Sequence, residues 1–197
     1  MDKIGIKATL YDIIGYVIPG FLFLLFIYIF KNNLDLKWLL SLKKVDISAP
    51  YIVVIFILTY VSGHIVSSFS SFIFEGYISK WITNKLFPKP QNSIYDIKTQ
   101  SLFGKPFNDC DQRSIITYCQ EKHPIVYETA FVFLTIYGLS RNVAATFIVL
   151  SSFSIYKYGI CSIESLIIIS STILLIRNYY RFKVNFTKQI NSSLLLD

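Results

Sequence analysis

Three ionisable side chains, His64, Arg141 and Glu164, interrupt stretches of the sequence that are otherwise apolar. Such groups are costly in hydrocarbon unless paired, so at these places they mark candidate ion or proton pathways. His64 can donate and accept a proton, Arg141 is a fixed cation and Glu164 is an acceptor; on one face they would line a polar path. Each also has a plainer explanation. His64 can be satisfied by a serine or a backbone carbonyl, and Arg141 can snorkel to headgroups from the inner end of its run. Glu164 is merely interfacial if its helix starts late. No second His, Cys or acidic residue stands at metal-ligand spacing from His64, and His123 lies across a long polar segment. Cys110, Cys119 and Cys161 are an odd number without C-x-x-C spacing, which argues against a zinc site and a disulfide framework. No P-loop, dinucleotide fingerprint, H-E-x-x-H or G-x-S-x-G occurs, so the sequence points to no enzyme and implies no cofactor.

Two further groups of residues act through the backbone. Gly15, Pro19 and Gly20 fall inside the first apolar run. Proline has no N–H for the carbonyl four residues earlier, here Gly15, so a kink is expected near residues 15–20. Gly63, Ser67 and Ser71 recur every fourth residue and form a small-residue seam of the kind that lets helices approach closely, within one chain or between copies.

The elements that would position these residues are apolar helices. The chain has 197 residues, of which 53% are hydrophobic and only 16% charged. A soluble domain carries about 25% charged residues, and here the charges cluster between apolar runs. Those runs predict four transmembrane helices at about residues 11–30, 51–74, 136–154 and 158–176, the third being the embedded part of a longer helix from residue 124. Each is close to the ~20 residues that cross a bilayer core. The first lacks a signal-peptide cleavage pattern and reads as a retained anchor. The expected fold is therefore an all-α integral membrane protein. Residues 1–74 form one hairpin, 75–123 a short helical cytoplasmic insert, 124–176 a second hairpin, and 177–197 a basic tail.

The net charge of +7 follows the same plan. With both termini inside, Lys3, Lys7, Lys80, Lys85, Lys89, Lys98, Lys105, Arg113, Lys122, Arg141, Arg177, Arg181, Lys183 and Lys188 lie on the cytoplasmic side. Lys31, Lys37, Lys43, Lys44 and Lys157 lie outside, a ratio of fourteen to five that sets the orientation. Topology control accounts for the basic residues without direct nucleic-acid contact, and a juxtamembrane lipid anchor explains the aromatic and basic tail. Residues 34–46 read as a short interfacial helix. The insert is too small for an independent core and should pack on other helices or on a partner. Asp111 is placed to cap a short helix after it.

The stretch Y-D-I-I-G-Y-V-I-P-G at residues 11–20 resembles the opening of many small bacterial multi-pass proteins, and G-H-I-V-S-S at 63–68 is similar to a second element of theirs. Some of these are membrane subunits of anti-phage defence systems of the Kiwa type. The resemblance implies a non-enzymatic, oligomeric inner-membrane subunit that recruits or responds to a cytosolic protein encoded nearby. Lys98, Lys105, Arg113 and Lys122, in the insert, are the expected partner-binding residues. A small stand-alone channel or transporter, with His64, Arg141 and Glu164 along its path, is the alternative.

Overall fold

A computed structural model describes residues 13–31, 48–78 and 93–196. Among them every regular element is helical and no strand occurs. Helix α1 (Ile18–Lys31) is entered through a wide π-type turn, Ile13–Val17. Pro19 accounts for the widening, because it cannot donate to the Gly15 carbonyl and its ring crowds that oxygen. Helix α2 (Ala49–Ser71) carries Pro50 in its first turn, where a missing N–H costs nothing, and continues into a second wide turn, Phe72–Ile78.

Two short helices follow, α3 (Ser93–Phe103) and α4 (Gln112–Lys122). Asp96 reaches from α3 to accept the Phe107 N–H at 2.9 Å, and Asp111 caps α4 by accepting the Arg113 N–H at 3.3 Å. Helix α5 (Pro124–Tyr158) has 35 residues and stops at Gly159, whose φ of 82° is a left-handed conformation that glycine adopts without steric cost. Ser162 then starts α6 (Ile163–Ser192) by accepting the Ser165 N–H at 3.1 Å.

The chain divides into two compact units. One contains the described residues up to Gly76 together with Gly138–Arg177; the other contains Tyr77–Tyr137 and the residues from Asn178 on. Helices α5 and α6 therefore contribute residues to both. In the first unit α1 packs on α2, Phe26 meets Phe147 of α5 edge to face at 5.4 Å, and α5 and α6 are joined by serine and threonine hydroxyls. Ser154 pairs with Ser165 at 2.8 Å and Ser151 with Thr172 at 3.1 Å. The second unit has its own apolar core of Ile115, Cys119, Ala130, Phe186, Ile190 and Leu194. Tyr137 adds an edge contact to Tyr179 and a tilted one to Phe186, each with ring centroids 5.9 Å apart.

Two helical stretches are long and apolar enough to cross a membrane, Ala49–Gly76 and Pro124–Tyr158, with mean hydropathies of 2.0 and 1.5. Only 22% and 33% of their most apolar parts are buried within the chain, whereas the core helix of a soluble protein is mostly buried. Ile13–Ile29 is a shorter apolar helix. The fourth apolar run differs from its sequence boundaries. Tyr158 ends α5 and residues 159–162 make the turn, so the helical apolar stretch is 163–176, about 21 Å long at 1.5 Å per residue. Residues 11–12 of the first expected span, the interfacial helix expected at 34–46 and the cations Lys80, Lys85 and Lys89 lie outside the described residues.

Candidate functional site

The polar residues of the first unit converge on Asn142, which is only 2% exposed. Its Nδ2 donates to the Gly15 carbonyl at 2.8 Å. That is the carbonyl to which Pro19 has no N–H to offer, and a side chain on α5 donates to it. Its Oδ1 accepts from the Ser70 hydroxyl at 2.5 Å and from Arg141 Nε at 3.3 Å. One amide thus ties α5 to the entry of α1 and to α2.

Arg141 extends the node. Its guanidinium donates to Glu75 as an ion pair and to the Ser67 hydroxyl at 3.3 Å. The arginine side chain is 12% exposed and the glutamate 48%, so the pair opens towards one side. A guanidinium with its donors divided among a carboxylate, a hydroxyl and an amide is well satisfied for a partly buried cation.

Below the node, α1 and α2 touch through glycine. A Cβ on Gly63 would overlap the backbone of Tyr16, and one on Gly20 would overlap the Thr59 carbonyl and the Gly63 amide. The buried line on α2 is Thr59, Gly63, Val66, Ser67 and Ser70. It starts along the expected every-fourth-residue seam and then shifts to Ser70. At 3.6 residues per turn each step of four advances about 40°, so Ser71 has rotated out to a half-buried position. Gly63 and Ser67 make their contacts inside the chain.

The three ionisable residues of the apolar runs are not brought together. Arg141 pairs with Glu75. His64 is exposed, stacked on Tyr16 with centroids 4.1 Å apart and edge-on to Tyr60 at 4.6 Å. Glu164 is exposed in the first turn of α6, with no bond to either among the described residues. Among the described residues no cluster of three His, Cys, Asp or Glu side chains is placed to hold a metal ion. What the node does chemically is to fix three helix segments by hydrogen bonds.

The expected partner-binding residues all lie in the second unit. Lys105, Arg113 and Lys122 are exposed and Lys98 is half-buried. Beneath them burial pushes the Cys119 thiol up, and a hydrogen bond with Ser193 offsets part of that rise. Burial likewise pushes the Tyr180 hydroxyl up to about 12. The residues that sequence reasoning missed are Asn142, Glu75, Ser70 and the apolar side of the tail. The spacing of Tyr179, Phe186, Ile190 and Leu194 at seven, four and four residues is a helical stripe, a signal that was present in the tail.

No protein-family model, curated protein or solved structure matches the chain.

Proposed function

We propose that the chain is a non-enzymatic, multi-pass inner-membrane subunit that presents a small folded helical unit to a cytosolic partner, in the setting of anti-phage defence that the resemblance implies. The observation that supports this reading is the chemical contrast between the two units. In the first, every residue from Tyr51 to Leu58 is 47–68% exposed, an apolar surface all round the helix that lipid tails would solvate. The second buries Ile115, Cys119, Ala130, Phe186, Ile190 and Leu194 in a core of its own and leaves Lys105, Arg113 and Lys122 at its surface.

In this reading α2 and α5 cross the membrane, α1 makes a third crossing and the apolar stretch of α6 a fourth. The short α6 stretch is accommodated by local thinning of the bilayer and by Arg177 reaching the headgroups. Both termini face the cytoplasm by the distribution of Lys and Arg. The Asn142 node holds the crossing helices at a fixed mutual position, and copies of the chain associate in the membrane through surfaces other than Gly63 and Ser67. The test pairs two measurements. Reversing Arg113 and Lys122 to Glu should abolish co-purification with the product of the neighbouring gene while leaving insertion unchanged. Ion flux through the purified protein in liposomes, persisting with those charges reversed and no partner present, would instead establish a stand-alone channel.

A further inference from the structure

The imidazole of His64 is held by rings alone. It stacks on Tyr16, with Tyr60 edge-on to it one turn earlier on α2, and the two tyrosines meet edge to face at 6.2 Å. None of the three polar ring tips makes a hydrogen bond among the described residues. Tyr60, His64 and Ser68 are all exposed and follow one another every fourth residue, a stripe about 80° wide on the helix. The Ser68 hydroxyl donates to the His64 carbonyl at 3.0 Å, so its proton is used and its oxygen is left to accept. This stripe is separate from Gly63 and Ser67, whose contacts lie within the chain.

Between Ala49 and Glu75 the helix and its wide continuation carry no Asp, Glu, Lys or Arg. A bilayer core takes up about 20 of those residues. Wherever the 20 begin, His64 lies about 8 Å or more from either end of them. An imidazole side chain is too short to reach the headgroups from there. Lipid tails offer its N–H no acceptor, which is costly unless a protein surface covers it. The stripe itself holds what is missing, because hydroxyl oxygens of Tyr60 and Ser68 lie one turn to either side of the imidazole. Copies inserted in one orientation are related by an axis along the membrane normal, so across a two-fold each residue faces its counterpart at the same depth. From this self-complementarity we propose that a second copy of the chain docks on the Tyr60–His64–Ser68 stripe, each His64 donating to a hydroxyl of the other copy. The inference rests on the proposed membrane crossing by α2, and it names the surface through which copies associate.

The test uses the full-length chain in native membranes and in liposomes. On oxidation His64→Cys should give a disulfide-linked dimer that the parent chain does not give. Phe69→Cys, also exposed but about 140° further round α2, should not. In liposomes diluted with lipid, His64→Leu should weaken self-association about tenfold. His64→Gln, whose amide keeps both a donor and an acceptor, should retain most of it. Three results overturn the inference: equal cross-linking at the two cysteine positions, self-association unchanged in His64→Leu, or cross-linking of His64→Cys to a different protein. Labelling of His64→Cys by a membrane-impermeant maleimide also overturns it, since the imidazole then faces water rather than a second copy. Alkaline carbonate extraction separates the two levels. A chain that stays in the membrane without the His64 cross-link loses only this contact, whereas a chain released by carbonate removes the membrane reading itself.

Discussion

Replacing Asn142 by leucine keeps the branch at Cγ and most of the volume while deleting both polar ends of the side chain. Two interhelical hydrogen bonds disappear, to the Gly15 carbonyl and from Ser70. Such bonds average about 0.6 kcal/mol each in membrane proteins. A further cost falls on the Gly15 carbonyl, to which Pro19 offers no N–H in place of the lost amide; a buried carbonyl left unsatisfied costs about 1–3 kcal/mol. Asn142→Leu should therefore destabilise the first unit by about 2–4 kcal/mol. The diagnostic step is a second substitution, Pro19→Ala, which returns an N–H four residues after Gly15. In that background the carbonyl has an intrahelical donor again, so the cost of Asn142→Leu should fall by about 1–2 kcal/mol. Equilibrium unfolding in mixed detergent micelles, followed by circular dichroism across the four proteins of the cycle, measures the coupling. A cost that is the same in both backgrounds to within about 0.5 kcal/mol would refute the link between the proline and the amide.

Gly63→Ala puts a methyl group into the Tyr16 backbone and should lower unfolding stability by at least about 1–3 kcal/mol, with Gly20→Ala similar and Ser71→Ala nearly neutral; detergent unfolding midpoints separate them. Cys161 is exposed in the turn between α5 and α6, so a membrane-impermeant maleimide should label it on spheroplasts that remain sealed, and labelling only after lysis would invert the orientation. Cys119 is buried and its thiol is held up, so at pH 8 it stays protonated and should react far more slowly than Cys161 even in lysed membranes. Leu194→Ala removes a fully buried side chain from the second unit and should cost about 2–4 kcal/mol, seen as faster limited proteolysis of residues 93–137 with the first unit's helices still protected. Reporter fusions at Asn33, Gln91, Tyr158 and Asp197 should read outside, inside, outside and inside, and an external Gln91 would overturn the topology.

The helical class and the two helices long and apolar enough to cross a membrane are legible in residues 51–74 and 124–156 because length and hydropathy are local properties. Asp111 is legible as a cap for the same reason. The Asn142 node is not local. Its asparagine reads in sequence as one interruption among three in a long run, and its meaning comes from a carbonyl 127 positions earlier. Half of that contact could have been anticipated, since Pro19 announces a carbonyl in need of a donor, but nothing in the sequence says which helix supplies it. Glu75 was hidden differently: it sits where α2 widens, and a continuation at regular pitch would not have singled it out. The tail misleads because aromatics interleaved with cations suit a lipid interface as well as a protein core. Only the periodicity of its apolar residues separates the two.

The second unit's core joins residues made at very different times. Ile115 and Cys119 are synthesised well before Phe186, Ile190 and Leu194, with the whole of α5 in between. At about 5–20 residues per second, translation leaves the early half of that core without its later half for roughly 4–15 seconds. During that interval α5 must find its place while α3 and α4 still show their apolar sides. In the proposed topology the nascent chain is thus sticky on the ribosome's side of the membrane before its last residues are made. A chaperone, or early contact with a partner, would have to cover that surface until the final turn of α6 arrives.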